Sequence, residues 1–287
     1  MFGSDKVSGA ETTGVSVSAG NLGLRVVSAA VLAPLAVLAA YIGGWPFAAF
    51  WGIAAVIVLW EWMSLVVGPG YRFMVTSCAA AVAVADFLAV LGRPVAAMLM
   101  IGLGGLAGAI FVPAERRLWV ITGAGYAGGM VLAPVLLRSD EGTGFLAILF
   151  LFAIVWTTDV VGYFAGRAFG GPKLWPAVSP KKTWSGAIAG AAAAVAVAVL
   201  AAPQFGPFNT IVIAATALLL SVVAQAGDLF ESWVKRQFNA KDSGRLIPGH
   251  GGVMDRLDGF WAAAVAGCMI GLVRGGFHEP ARGLLVW

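Results

Sequence analysis

The sequence predicts an all-α, polytopic transmembrane helix bundle of about nine spans, with its long basic loops on the cytoplasmic side. Three observations predict it. Hydrophobic residues fill 60% of the 287 positions. Charged residues fill 11%, against about 25% in a soluble domain. Apolar runs of about 20 residues, long enough to cross a bilayer core, recur along the whole chain. So much apolar surface excludes a soluble globular enzyme, a disordered chain, a secreted disulfide scaffold and a nucleic-acid-binding domain. The formal net charge of +4 therefore reads as loop asymmetry across a membrane rather than as polyanion binding. Cys78 and Cys268 both sit in apolar runs, with no CxxC pattern and no disulfide framework.

The expected spans are 24–43, 45–67, 73–91, 95–112, 118–137, 144–166, 185–202, 211–234 and 259–276. Gly43-Gly44, Gly68-Pro69-Gly70 and Arg93-Pro94 punctuate the early ones. Residues 1–23, rich in Ser, Gly and Thr, read as a flexible tail, with no basic region before a short apolar core to suggest a cleaved signal peptide. Nine spans place 14 Lys and Arg on the side of the N-terminus and 4 on the other, so the N-terminal side is expected to be cytoplasmic. The two long basic loops, 167–184 and 235–258, share that side whatever the exact count, because two spans connect them. Long loops in compact proteins are usually functional. Residues 24–140 read as a scaffold and 141–287 as the working half.

The few charges carry the chemistry. Asp228, Glu231, Ser232 and Lys235 recur at i, i+3, i+4 and i+7, one stripe if the eighth span continues as a helix. Acids in a membrane helix are costly unless paired or coordinating. The plain alternative is a snorkelling helix end paired with Lys235. Pro248-Gly249-His250-Gly251-Gly252 is a Gly-rich turn whose backbone N–H groups suit an anion. Asp255-Arg256-Leu257-Asp258 then enters the last span. Asp228 and Asp255, both at cytoplasmic span ends, suit a Mg²⁺ site shared with substrate phosphates, although nothing in the sequence alone brings them together.

Asp159 lies inside the sixth span, an intramembrane acid and so a functional candidate. Gly162 and Gly166 beside it read as close helix packing. Ser179-Pro180-Lys181-Lys182-Thr183 offers two lysines flanked by hydroxyls, suited to phosphate, or else an ordinary basic loop. Gly123-Ala-Gly125-Tyr-Ala-Gly128 matches a dinucleotide fingerprint but sits within a span, where helix packing explains it better. Glu61 and Asp86 are further intramembrane acids without assigned chemistry, and His278 reads as a tail residue. A P-loop, HExxH and GxSxG are all absent from the sequence.

Residues 227–258 resemble the signature of the phosphatidate cytidylyltransferase (CDP-diacylglycerol synthase) family. The pattern runs through Ser232, Lys235-Arg236, Lys241-Asp242, Pro248 to Gly252, Asp255-Arg256 and Asp258. Asp159, Tyr163, Gly166-Arg167, Phe169-Gly170 and 179–183 resemble the family too, as does, faintly, Trp60-Glu61-Trp62. Two positions depart from the pattern: Ser185 stands where the family usually has Glu, and Gly259 where it often has Ser. The resemblance implies transfer of a cytidylyl group from CTP to phosphatidate, giving CDP-diacylglycerol and pyrophosphate for phospholipid synthesis. It implies Mg²⁺ on Asp228 and Asp255, with a second cation left open. It implies Lys181, Lys182, Lys235, Arg236 and Lys241 against phosphates, and Asp159 orienting a lysine or completing the metal shell. His250 and Arg256 join that catalytic set. Ser179, Thr183, Glu231, Ser232, Gly249, Gly251 and Gly252 are the implied substrate contacts. The partners are CTP, phosphatidate and membrane lipids, with no nucleic acid and with a homodimer left open. The location it implies is a bacterial inner membrane with the site facing the cytoplasm. The competing readings are a CTP-using enzyme with a polyprenyl acceptor, a transporter, and an alcohol phosphotransferase, whose acidic motif is absent from the sequence.

Overall fold

The computed structural model describes residues 30–68, 70–205, 209–244, 246 and 251–286. The expected tail at 1–23, and Gly249 and His250 of the Gly-rich turn, lie outside the described residues. The helices are α1 (Ala30–Ile42), α2 (Gly44–Val66), α3 (Arg72–Val90), α4 (Pro94–Ile110), α5 (Ala114–Arg138), α6 (Gly144–Phe169), α7 (Trp184–Ala201), α8 (Thr210–Gln237), α9 (Met254–Gly275) and a short α10 (Pro280–Leu285). Between α6 and α7 the chain forms an antiparallel hairpin, β1 (Lys173–Trp175) and β2 (Ser179–Thr183), pairing Lys173 with Thr183 and Trp175 with Ser179. Among the described residues seven helices are long and apolar enough to cross a membrane, and α1 and α4 are shorter apolar helices. Together they occupy the nine expected spans, and the chain is an integral membrane helix bundle.

Local chemistry explains the helix ends. Pro94 opens α4, where its missing N–H costs nothing. Asn209 caps α8 by accepting from the N–H of Ile211 and Val212. Thr183 caps α7 by accepting from Gly186 N–H at 3.2 Å. Helix α9 begins at Met254, five residues before the expected span, so Asp255 and Asp258 stand in its opening turns.

Helix α5 is the most buried of the long spans and forms the axis of the bundle. An aromatic column crosses it. Trp62 of α2 stacks on Tyr126 at 5.2 Å, and Tyr126 stacks on Trp261 of α9 at 4.1 Å. Trp62 Nε1 donates to the Trp119 carbonyl at 2.9 Å, and Trp261 Nε1 to the Tyr126 carbonyl at 2.8 Å. Such ring pairs contribute about 0.5–1.5 kcal/mol each beyond their area. Gly123, from the GxGxxG string, makes room for the Trp62 ring, so that string packs helices.

Two close crossings set up the site. Helices α6 and α7 meet through Gly162, Gly166 and Gly186: a side chain at Gly186 would lie 2.5 Å from the Gly162 carbonyl oxygen. Helices α8 and α9 meet where Gly227 faces Ala262 and the Asp258 carbonyl, which brings Asp228 beside the start of α9.

Candidate active site

A cavity of about 730 Å³ opens between α6, the hairpin, α7, α8 and the start of α9. Each element contributes what its sequence offers at that level. Helix α6 presents Asp159, Tyr163 and Arg167 at helical spacing. The hairpin presents Lys173, Lys181 and Lys182, and α7 its capped N-terminus with Thr183 and Gly186. Helix α8 contributes Gln225 and Asp228, and α9 contributes Asp255, Arg256 and Asp258. Four carboxylates and several cations thus share one polar recess in an otherwise apolar bundle. The two long basic loops, separate in sequence, meet here.

The recess is ordered by ion pairs. Lys182 pairs with Asp228, both side chains being roughly one-third exposed, at 29% and 31%. Lys235 Nζ lies 2.6 Å from Asp255 Oδ1 and 2.6 Å from Glu231 Oε2, in a pair of contacts almost closed to solvent. The expected stripe on α8 therefore divides. Asp228 turns to the hairpin and the cavity, with Ser232 Oγ 3.5 Å away. Glu231 and Lys235 are buried behind it, against α9.

Asp255 is heavily engaged. It accepts from the N–H groups of Ser243 and Gly252, at 3.0 and 2.8 Å to Oδ2. The Gly252 N–H, expected from the sequence to face an anion, is thus spent on Asp255. The adjoining Gly251 adopts φ +89, a backbone conformation open mainly to glycine. Beyond Asp255 lies Glu61 of α2, fully buried, accepting from Val253 N–H at 2.9 Å and Met254 N–H at 2.8 Å.

Other expected residues stand aside from the cavity. Arg236 is exposed and donates to the Ala240 carbonyl at 2.9 Å, closing the end of α8. Lys241 is exposed beyond the helix end. Ser179 pairs with Trp175 across the hairpin. Ser185, where the sequence departs from the family pattern, donates to the Gly170 carbonyl and lies 3.0 Å from Thr183 Oγ1, tying the base of the hairpin to α6. Several cavity residues were not singled out as site residues from sequence: Lys173, Arg167, Tyr163, Gln225 and Asp258. Tyr163, Arg167 and Asp258 had a signal, since all three stand in the family pattern, with Tyr163 at i+4 from Asp159 and Asp258 at i+3 from Asp255.

A model of the cytidylyltransferase family matches residues 23–272. The chain belongs to the cytidylyltransferase family. This cytidylyltransferase is similar to the phosphatidate cytidylyltransferase of Brucella abortus biovar 1 (strain 9-941), 45% identical over 263 residues, which cover 91% of this chain and 96% of that one. The phosphatidate cytidylyltransferase of Brucella suis biovar 1 (strain 1330) is similar to the same extent. That of Rickettsia felis is 42% identical over 142 residues, 45% of this chain and 63% of the relative. The match of the family model takes in α2 to α8 and most of α9, so this cytidylyltransferase shares the cavity-forming elements with its family rather than an isolated motif.

Proposed function

We propose that this cytidylyltransferase transfers the cytidylyl group of CTP to phosphatidate, releasing pyrophosphate and forming CDP-diacylglycerol for phospholipid synthesis. The observation that carries the reading is the cavity itself: Lys181, Lys182, Arg167 and Arg256 face Asp159, Asp228, Asp255 and Asp258 within a membrane bundle. An oxygen of the phosphatidate phosphate attacks the α-phosphorus of CTP, and the bond from that phosphorus to the bridging oxygen of pyrophosphate breaks. The nucleophile is already an anion, so no strong base is needed. The obstacle is the mutual repulsion of two polyanions, and preorganised cations lower it.

The residues fit a Mg²⁺ ion. Carboxylate oxygens are its preferred protein ligands, and it commonly takes one or two carboxylates and completes its shell with water and substrate phosphates. Asp228 and Asp255 would hold the ion, which supplies charge neutralisation on the transferring phosphorus and the leaving pyrophosphate. Lys181 and Lys182 bind phosphates as point charges. Asp228 orients Lys182, and Lys235 holds Asp255 in place. Asp159 sits across the recess, facing the same cations.

The active site faces the cytoplasm of a bacterial inner membrane in this reading. The asymmetry of 14 against 4 basic residues and the cytoplasmic source of CTP support it. The test is purified protein with labelled CTP and Mg²⁺ across a panel of lipid acceptors. Phosphatidate should be converted fastest, with pyrophosphate released in equal amount. A preference for a polyprenyl phosphate or polyprenol would overturn the assignment of the acceptor.

A further inference from the structure

We propose that Glu61, on α2 in the half of the chain remote from the signature motifs, is the positioning residue that sets Ser243 and the start of α9 at Val253 and Met254 and, through them, the Asp255 carboxylate. The inference rests on the cytidylyl-transfer reading of the site. Glu61 does not line the cavity described above. Its side chain is fully buried, yet both carboxylate oxygens are used. Oε1 accepts from Val253 N–H at 2.9 Å, and Oε2 from Met254 N–H at 2.8 Å. These are the cap residue of α9 and its first helical residue, so an acid borrowed from another helix satisfies N–H groups that have no intrahelical partner.

Ser243 extends the link. Its Oγ lies 3.1 Å from Glu61 Oε2 and 3.1 Å from Asp255 Oδ2, and its single proton goes to one of them. Its backbone N–H donates to Asp255 as well. Asp255 is thereby bound on the protein side by Ser243, Gly252 and Lys235. The surrounding sequence is shaped to admit Glu61. A side chain at Gly244 would lie 2.6 Å from Glu61 Oε1, and one at Gly252 would lie 2.5 Å from Oε2. Two glycines of the signature segment therefore leave room for a carboxylate about 180 residues away in the chain. A carboxylate is needed because both backbone partners, the N–H groups of Val253 and Met254, are donors. In Glu61→Gln the amide NH₂ would face either Val253 N–H or Met254 N–H, donor against donor.

The experiment measures E61Q, E61D and S243A beside wild type in detergent, following kcat, KM for CTP, thermal stability, and hydrogen exchange at residues 243, 244 and 251–254. E61Q should lower kcat by about 10–100-fold, the range for partners that orient metal ligands. KM for CTP should change by less than about 3-fold, and exchange at 243, 244 and 251–254 should rise while exchange of α6 and α7 stays as in wild type. E61D should recover part of the lost kcat. S243A keeps Glu61 bonded to α9, so it carries the test if E61Q fails to insert: a loss of about 3–10-fold is expected, and the E61Q/S243A double variant should lose less than the product of the single losses. Unchanged kcat and exchange in E61Q, or unchanged kcat in S243A where E61Q does not insert, would overturn the proposal. A wild-type protein inactive on phosphatidate but with E61Q loosening 243, 244 and 251–254 would instead remove the functional reading and leave the positioning role standing.

Discussion

Lys182 of the hairpin and Asp228 of α8 form an ion pair at the edge of the cavity, and each remains about one-third exposed, at 29% and 31%. An ion pair of that exposure contributes only about 0–1 kcal/mol. It can be exchanged at little cost when a phosphate takes the ammonium and a cation takes the carboxylate. The pair of contacts that Lys235 makes to Asp255 and Glu231 is nearly closed to solvent, and breaking it is costly. The site thus couples a replaceable charge pair to a fixed one.

That contrast separates the two aspartates. Asp228→Asn and Asp255→Asn should each lower turnover by more than about 100-fold, as loss of a principal electrostatic contact does. Asp228→Asn should keep wild-type thermal stability. Asp255→Asn should melt earlier, because it disturbs the bonds from Ser243 and Gly252 and leaves Lys235 with Glu231 alone. Pyrophosphate release and thermal unfolding in detergent check both halves. Near-normal activity in either variant would remove it from the metal site.

The hairpin lysines should act on binding. Lys181→Ala and Lys182→Ala are expected to raise KM for CTP or phosphatidate about 3–30-fold. Lys182→Ala should have the larger effect, since it also releases Asp228. Initial rates over a grid of both substrates would show it, and unchanged kinetics in both variants would reduce this segment to a topological signal.

Chelation should silence the enzyme without unfolding it. Excess EDTA should abolish cytidylyl transfer and added Mg²⁺ should restore it, while the unfolding temperature moves little. The bundle is held by helix packing, and the carboxylates already have lysine partners. Activity that survives exhaustive chelation would argue against a divalent ion.

Gly186→Ala should separate α6 from α7. The added methyl would lie 2.5 Å from the Gly162 carbonyl, a backbone atom that cannot swing aside. Overpacking of this kind costs about 1–3 kcal/mol. A lower unfolding temperature with a matching loss of activity is expected, and a variant as stable and active as wild type would show that the crossing is looser than described.

The transmembrane architecture was legible because spans are long, apolar and separated by Gly and Pro, and bilayer thickness leaves few ways to arrange them. The signature carboxylates and lysines were legible as types at fixed spacings. Their division was not. Asp228 and Glu231 look alike on a helical wheel, and only the packing of α8 against α9 turns Glu231 inward toward Lys235. The hairpin was hidden because Pro172, Pro176 and Pro180 and the lysines read as loop, whereas its strands are defined by the pairing of Lys173 with Thr183 and Trp175 with Ser179. Glu61 was visible as an intramembrane acid, but its partners lie 182 to 193 positions further along the chain, beyond any local pattern.

The hairpin also fixes a depth. Each strand has one sheet neighbour, and hydrocarbon does not tolerate open sheet edges, so β1 and β2 are expected at the level of lipid headgroups and water. The cavity that they help to line extends from there to Thr158 and Asp159 on α6, more than two turns from Arg167 near the end of the helix. On the proposed function, a phosphatidate phosphate arriving from within the leaflet would meet the lysines at about its resting height. Lifting such a lipid into water would expose its chains at about 0.8 kcal/mol per methylene. On the same reading the bundle would avoid that by receiving the soluble nucleotide at the bilayer surface, leaving the acyl chains solvated by their neighbours throughout the reaction.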